Sequence, residues 1–217
     1  MNGPIIELLV LAGIAVFLIL RLKNVLGTRD GFEGPPVQQP EQSAMPDFEV
    51  IEGGLDQDIA DHVDINSPAG KALLAMKEVE PDFSFTDFLG GARQAYEMIL
   101  MAFENGDLET LKPFLSSDVY ESFESVIEHR KAQGLVIEAS FIGVREVKVV
   151  DVTFDPASKE AEITMRFIGE LTSVVKNEDG EIIEGDETTV KKQKDIWTFA
   201  RIMGSDDPNW QLVATGE

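Results

Sequence analysis

The chain has 217 residues, a formal net charge of -22 and no cysteine. That length holds one ordinary domain with a core of its own plus additional segments, and the missing thiols exclude a disulfide framework and a thiolate metal site. So large an acidic surplus excludes nucleic acid as a partner, since phosphate affinity rests on Lys and Arg, and excludes electrostatic docking on anionic lipid.

The first element is the run from Ile5 to Leu20, apolar except for Glu7 and followed at once by Arg21 and Lys23. A helix rising about 1.5 Å per residue needs about 20 residues to cross a hydrocarbon core of about 30 Å. Leu8, Leu11, Ile14, Phe17 and Leu18 supply the apolar surface, while Leu22, Val25 and Leu26 extend it and Arg21 and Lys23 snorkel outward. A transmembrane anchor over 1–29 is expected, with the lipid bilayer as the first implied partner. Arg21, Lys23 and Arg29 all follow the run and no basic residue precedes it. Basic residues are retained on the cytoplasmic side, so a short N-terminus lies outside and the rest of the chain inside. A cleaved secretory signal is the competing reading; it would carry its basic residues before the apolar core instead.

From Asp30 to Asn66 there is no Lys or Arg, while acidic residues accumulate and Pro35, Pro36, Pro40 and Pro46 interrupt the first half. Such a stretch cannot bury enough apolar surface to offset chain entropy. Residues 30–80 therefore read as an acidic, largely disordered linker; about 50 residues of flexible chain reach on the order of 40 Å. Asp56, Asp58, Asp61, His62 and Asp64 invite a calcium reading, but the glycine and closing Glu of an EF-hand loop are missing, so a solvated acidic run is expected. Leu73, Leu74 and Met76 between Lys71 and Lys77 allow a short helix near 69–79, stopped by Pro81.

The folded domain is expected over 81–217. Phe88, Ala92, Ala95, Tyr96, Ile99 and Phe103 recur at helical spacing up to Asn105-Gly106, with Gly90-Gly91 marking close backbone packing or a frayed start. Asp107 caps a short helix carrying Leu108, Leu111 and Phe114. A third helix starts at Ser117 or Asp118, turns Val119, Phe123 and Ile127 inward and ends at Gly134.

After Gly134 the period falls to two. A long first strand runs from about Val136 to Phe154, with Gly143 as a bend or bulge. Asp155-Pro156 turns into a second strand whose Ala161, Ile163, Met165 and Phe167 face one way. Asn177 to Gly180 and Gly185-Asp186 form an acidic hairpin connection. A third strand carries Ile196 to Phe199, and Asp207-Pro208-Asn209 leads to a fourth with Trp210 and Leu212. The fold class is α+β: about three helices packed on a bent four-stranded antiparallel sheet. That order resembles the cystatin-like cone, also known as the ketosteroid isomerase shape, which leaves an apolar cavity at its wide end.

Catalytic chemistry is sparse. His62 falls in the linker, His129 near a helix end, and Asp151 and Asp195 fit an exposed strand face. No nucleophile elbow, phosphate loop or metal constellation is present in the sequence, so neither an enzyme nor a cofactor is expected.

Two stretches carry a family likeness. The juxtamembrane VLGTRDGFE at 25–33 and PDFSFTDFLGGARQAYEMILMAFENGDLETLKPFLSSDVYESF at 81–123 resemble the Tim-forty-four-like domain family. Residues 197–201 and 207–212 resemble its last two strands, and the opening looks like that of its alphaproteobacterial TimA branch. The resemblance implies an adaptor or scaffold in a bacterial inner membrane. Mitochondrial members of the family tether a DnaK-type chaperone to an import channel. This sequence departs from them in having a transmembrane candidate and in lacking their long basic N-terminal region, which leaves chaperone recruitment open.

The function expected is thus a single-pass adaptor linked to protein translocation, chaperone recruitment or envelope assembly, with a translocase, chaperone or envelope component as protein partner. The alternative is a tethered binding domain for lipid or another hydrophobic ligand. Phe88, Tyr96, Ile99, Met165, Phe167, Trp197 and Trp210 are the candidate pocket or partner surface.

Overall fold

The computed structural model describes residues 56–216. The anchor residues Leu8, Leu11, Ile14, Phe17, Leu18, Arg21 and Lys23 lie outside the described residues, as do the linker positions up to Leu55. Among the described residues no helix is long and apolar enough to cross a membrane.

Among the described residues five helices precede four strands: α1 Gln57–Ala60, α2 Pro68–Val79, α3 Phe85–Glu104, α4 Leu108–Leu111 and α5 Ser117–Ala132, then β1 Val136–Asp155, β2 Glu160–Lys176, β3 Ile182–Ile202 and β4 Gln211–Gly216. Each helix begins on a side chain that accepts an otherwise unpaired backbone N–H: Asp56, Ser67, Ser84, Asp107 and Ser116 in turn. Pro68 suits the first turn of α2, where its missing N–H removes nothing. Gly134 ends α5 at φ +66°, a conformation cheap only without a Cβ, while Leu135 N–H bonds back to the Arg130 carbonyl.

The strands form one antiparallel meander in the order β1-β2-β3-β4. The sheet is thus the α+β partner of the helices, as its two-residue period implied. Register shifts in β1 fall between Phe141 and Gly143, Val144 and Glu146, and Val149 and Asp151, so the expected irregularity at Gly143 is present with two more beyond it. β4 is tied to the helical layer by Ser116 N–H to the Leu212 carbonyl (3.0 Å) and Leu212 N–H to the Phe114 carbonyl (2.8 Å).

Three expectations need correction. The disordered linker does not extend to residue 80: α1 and α2 are formed, and Ile59, Leu73 and Met76 are fully buried in the same core as α3. Among the described residues the folded part therefore includes the stretch from Asp56, and five helices stand where about three and a possible short one near 69–79 were expected, the last being α2. Sparse but well-spaced apolar residues outweigh the acidic composition there, because several of the carboxylates are used for capping and ion pairing. Gly185 and Asp186 belong to β3, which starts at Ile182, and not to a connection. Finally, Gly90 and Gly91 sit inside α3, and a Cβ on either would meet nothing within 4 Å. They mark neither close packing nor a frayed start.

The core lies between the inner face of the sheet and the buried stripe of α3. Ala161, Ile163, Met165 and Phe167 are each 0% exposed, which places the predicted face of β2 inward. Burying a side chain of Phe or Leu size contributes about 2 kcal/mol.

Candidate functional site

An aromatic series runs along α3 and across the sheet. Phe88 meets Trp210 edge-on at 4.7 Å and Phe199 at 6.1 Å; Phe199 in turn neighbours Phe167 and Trp197. Tyr96 stacks on Phe167 with centroids 4.5 Å apart and planes at 7°, and tilts against Trp197 at 4.8 Å. Offset and edge-on pairs of this kind add about 1 kcal/mol beyond the area they bury.

Six of the seven predicted residues, Phe88, Tyr96, Ile99, Met165, Phe167 and Trp197, are therefore placed together as buried side chains that fill one another's space. A lipid could occupy that region only if these pairs separated. A surface groove of about 520 Å³ lies elsewhere, lined in part by Lys131, Leu135, Val136, Glu138, Lys176 and Glu178, with charged side chains beside a more apolar wall. Trp210 is the seventh residue and differs: it is only partly buried.

At the edge of the core, Tyr96 donates its hydroxyl hydrogen to Oδ2 of the half-buried Asp195 at 2.6 Å, and Gln193 Nε2 donates to Asp195 Oδ1 at 3.2 Å. Asp195 thus faces inward, correcting the exposed-face reading; Asp151 is exposed as expected. The signal was available, because Asp195, Trp197 and Phe199 share one face at the strand period. Burial first, then the carboxylate of Asp195, push the Tyr96 phenol well above its usual range, so it stays a neutral donor. Gly169 on β2 permits the approach: a Cβ there would lie 2.8 Å from the Tyr96 hydroxyl.

Around Trp210 three elements converge. Arg201 on β3 lies over the Trp210 ring at 5.3 Å and bonds Glu80 Oε2 at 2.6 Å, and Gly204 N–H donates to the same oxygen at 2.9 Å. Burial raises the Glu80 carboxyl, but Arg201 and Gly204 outweigh it and hold it below the usual range. Phe83 closes the corner against Trp210 at 6.1 Å. A partly exposed Trp stacked with a cation and set in an apolar frame has the composition of a protein-binding hot spot.

The segment missed as linker makes a second cluster. Asp58 accepts from Phe85 N–H (2.7 Å) and Thr86 N–H (2.8 Å) at the start of α3 and from Ser84 Oγ (3.3 Å), and it pairs with Lys77 at 2.8 Å. Lys77 also pairs with Asp56 at 2.9 Å. Partial burial pushes Asp58 upward, yet Lys77 and the Thr86 and Phe85 donors prevail and hold it far below the usual carboxylate range. The acidic run is accordingly structural at Asp56 and Asp58 and not simply solvated. His62 is hydrogen-bonded to Thr86 Oγ1 at 3.1 Å, and His129 is exposed in the last turn of α5 beside Gln133. Among the described residues no group of three or more His, Asp or Glu side chains could hold a metal.

The chain is 27% identical over 139 residues to the mitochondrial import inner membrane translocase subunit TIM44-1 of Arabidopsis thaliana, covering 61% of this chain and 29% of that protein. It is 24% identical over 147 residues to TIM44 of Homo sapiens, covering 66% and 32%. The chain spans about a third of the length of the curated relatives it matches. Among solved structures, the intermembrane space region of the chloroplast protein ARC6 from an alignment covering 60% of this chain and 92% of that one gives a TM-score of 0.38 at 13% identity, too loose to carry an argument. The Tim44-like domain matches residues 69–217, which includes α2, and the chain therefore belongs to the Tim44-like domain family.

Proposed function

We propose that this protein is a membrane-anchored adaptor of the TimA branch, with the Tim44-like domain binding a component of a protein-translocation or envelope-assembly machinery in an alphaproteobacterial inner membrane. In this reading the run from Ile5 to Leu20 is the single span, the domain faces the cytoplasm, and no catalysis is performed. The α+β domain serves as scaffold rather than container.

The observation that carries the reading is the family match over 69–217, on a domain whose aromatic interior is occupied by its own side chains. Relatives named as subunits of an inner membrane translocase support a partner at a membrane. Trp210, partly exposed and held by the largely buried Arg201 and Phe83, is the surface offered to that partner.

The reading is tested by fractionation joined to affinity purification. The full chain should stay with membranes through alkaline carbonate, resist external protease in spheroplasts, and co-purify from detergent with a translocase, chaperone or envelope protein. Extraction by carbonate, or a purified chain that brings none of these proteins, would oppose it.

A further inference from the structure

Met165, Phe167, Trp197 and Phe199 are buried in the core, so the residues alternating with them, Arg166, Ile168 and Glu170 on β2 and Lys192, Lys194 and Ile196 on β3, stand on the face of the sheet turned away from it. Strand pairing sets them in three rows: Lys148, Arg166 and Ile196; Glu146, Ile168 and Lys194; Gly143, Glu170 and Lys192. Arg145, in the irregularity between Val144 and Glu146, reaches the same face through Glu170 at 3.0 Å.

The sign of this block is opposite to that of the chain. It holds five of the 18 Lys and Arg residues, Arg145, Lys148, Arg166, Lys192 and Lys194, but only two of the 40 Asp and Glu residues, Glu146 and Glu170. Both carboxylates are already engaged, Glu146 by Arg166 at 2.6 Å and Lys148 at 3.5 Å, and Glu170 by Arg145. Lys192 and Lys194 are exposed, and among the described residues neither is in an ion pair within 4.0 Å. Between the cations the half-buried Ile168 and Ile196 make a small apolar floor.

The size of the block limits what it can hold. Three strands about 4.8 Å apart make it about 10 Å wide, and the run from Lys192 to Ile196 makes it about 14 Å long. Past Arg166 the sign reverses, with Asp151 opposite Thr164 and Glu162 beyond it on β2. A membrane surface or a nucleic-acid duplex is broader than this and would press its phosphates against those carboxylates. A single extended polypeptide is narrow enough. Residues two apart on a strand are about 6.8 Å apart, so alternate carboxylates of such a segment match Lys192 and Lys194 while an apolar residue rests on Ile168 and Ile196. At physiological ionic strength fields fade over about 8 Å, so a segment seated here feels the block more than the acidic remainder of the domain.

We propose that this face docks a short, extended, acidic segment of a partner protein, held by Lys192 and Lys194 with Arg145, Lys148 and Arg166 around them. The inference goes beyond the adaptor reading and does not depend on it, because Trp210 packs on Phe88 of the helical layer and takes no part in the block.

The probe is a fluorescein-labelled peptide, Glu-Val-Glu-Val-Glu, titrated by anisotropy against the full chain in a neutral detergent at about 0.15 M salt. Saturable binding is expected. It should weaken at least about tenfold in the variant Lys192→Glu with Lys194→Glu, and by a smaller factor with Gln at both positions. Lys71→Glu with Lys112→Glu, which reverses two exposed lysines of the helical layer, should leave it unchanged. Gln in place of Glu in the peptide should weaken binding at least about tenfold. Vesicles containing phosphatidylglycerol and single-stranded RNA should not displace the peptide. Absence of saturable binding, equal binding of the Gln peptide, equal loss in the Lys71 and Lys112 variant, or displacement by vesicles or RNA would each overturn the proposal. So would a dimer of the free chain that the Lys192 and Lys194 reversal dissolves, since the face would then belong to a second copy.

Discussion

Tyr96 of α3 and Asp195 of β3 meet at 2.6 Å, with Gly169 of β2 leaving room for the hydroxyl between them. Three elements distant in sequence are thereby locked at one point of the core. Tyr96→Phe should cost about 2 kcal/mol through the lost bond to a charged acceptor. Gly169→Ala should cost about 2 kcal/mol by driving its Cβ into Tyr96. Denaturant titration followed by tryptophan fluorescence should find the double variant less destabilised than the sum, because removing the oxygen removes the nearest clash.

Asp58 joins α1, α2 and α3 through Lys77 and the first N–H groups of α3. Its folded pKa lies below the unfolded value, so its contribution is fully present above that value, near 3.8, and is lost as the pH falls through the folded one. Asp58→Asn should destabilise the domain by about 2 kcal/mol at neutral pH and flatten the acid limb of the stability profile. An unchanged midpoint between neutral and acidic conditions would show that the segment before residue 81 adds nothing to the fold.

Arg201 is the buried member of its pair, with a side chain 7% exposed. Glu80→Ala leaves that guanidinium unpaired and should cost about 3 kcal/mol. Arg201→Met, which removes the charge and keeps the volume, should recover much of the loss in the Glu80→Ala background. Thermal melts of the two single variants and the double variant check this.

Gly90 and Gly91 are exposed inside α3 with empty space around them. Gly90→Ala and Gly91→Ala should each stabilise by about 1 kcal/mol, the ordinary difference in helix propensity. A neutral or destabilising result from the same titration would contradict the placement of both residues.

Much of the domain could be read from periodicity. Phe88, Ala92, Tyr96 and Ile99 announced α3, and the alternation from Ala161 to Phe167 announced the inner face of β2, because one side of each element is buried and the other is not. The short helix expected near 69–79 is present as α2, whereas α1 and the burial of both in the core were obscured by composition: in a stretch as acidic as 56–66, only a structure shows that Asp56 and Asp58 are spent on Lys77 and on a helix start. β3 was truncated for a related reason, since its first half is exposed on both faces and has no alternation to detect. Of the seven residues proposed as a pocket or partner surface, six were placed by their apolar character alone, which marks a core wall and a cavity wall equally. Trp210 stands apart only through its contact with Arg201, a pairing between separate elements that no local spacing reveals.

The adaptor account is tested most directly by photo-crosslinking in intact cells from position 209, next to Trp210, in the full-length chain. The account predicts a discrete adduct to a protein of the translocation, chaperone or envelope machinery, lost on Trp210→Ala. Labelling of lipid alone, or an adduct pattern unchanged by Trp210→Ala, would contradict it.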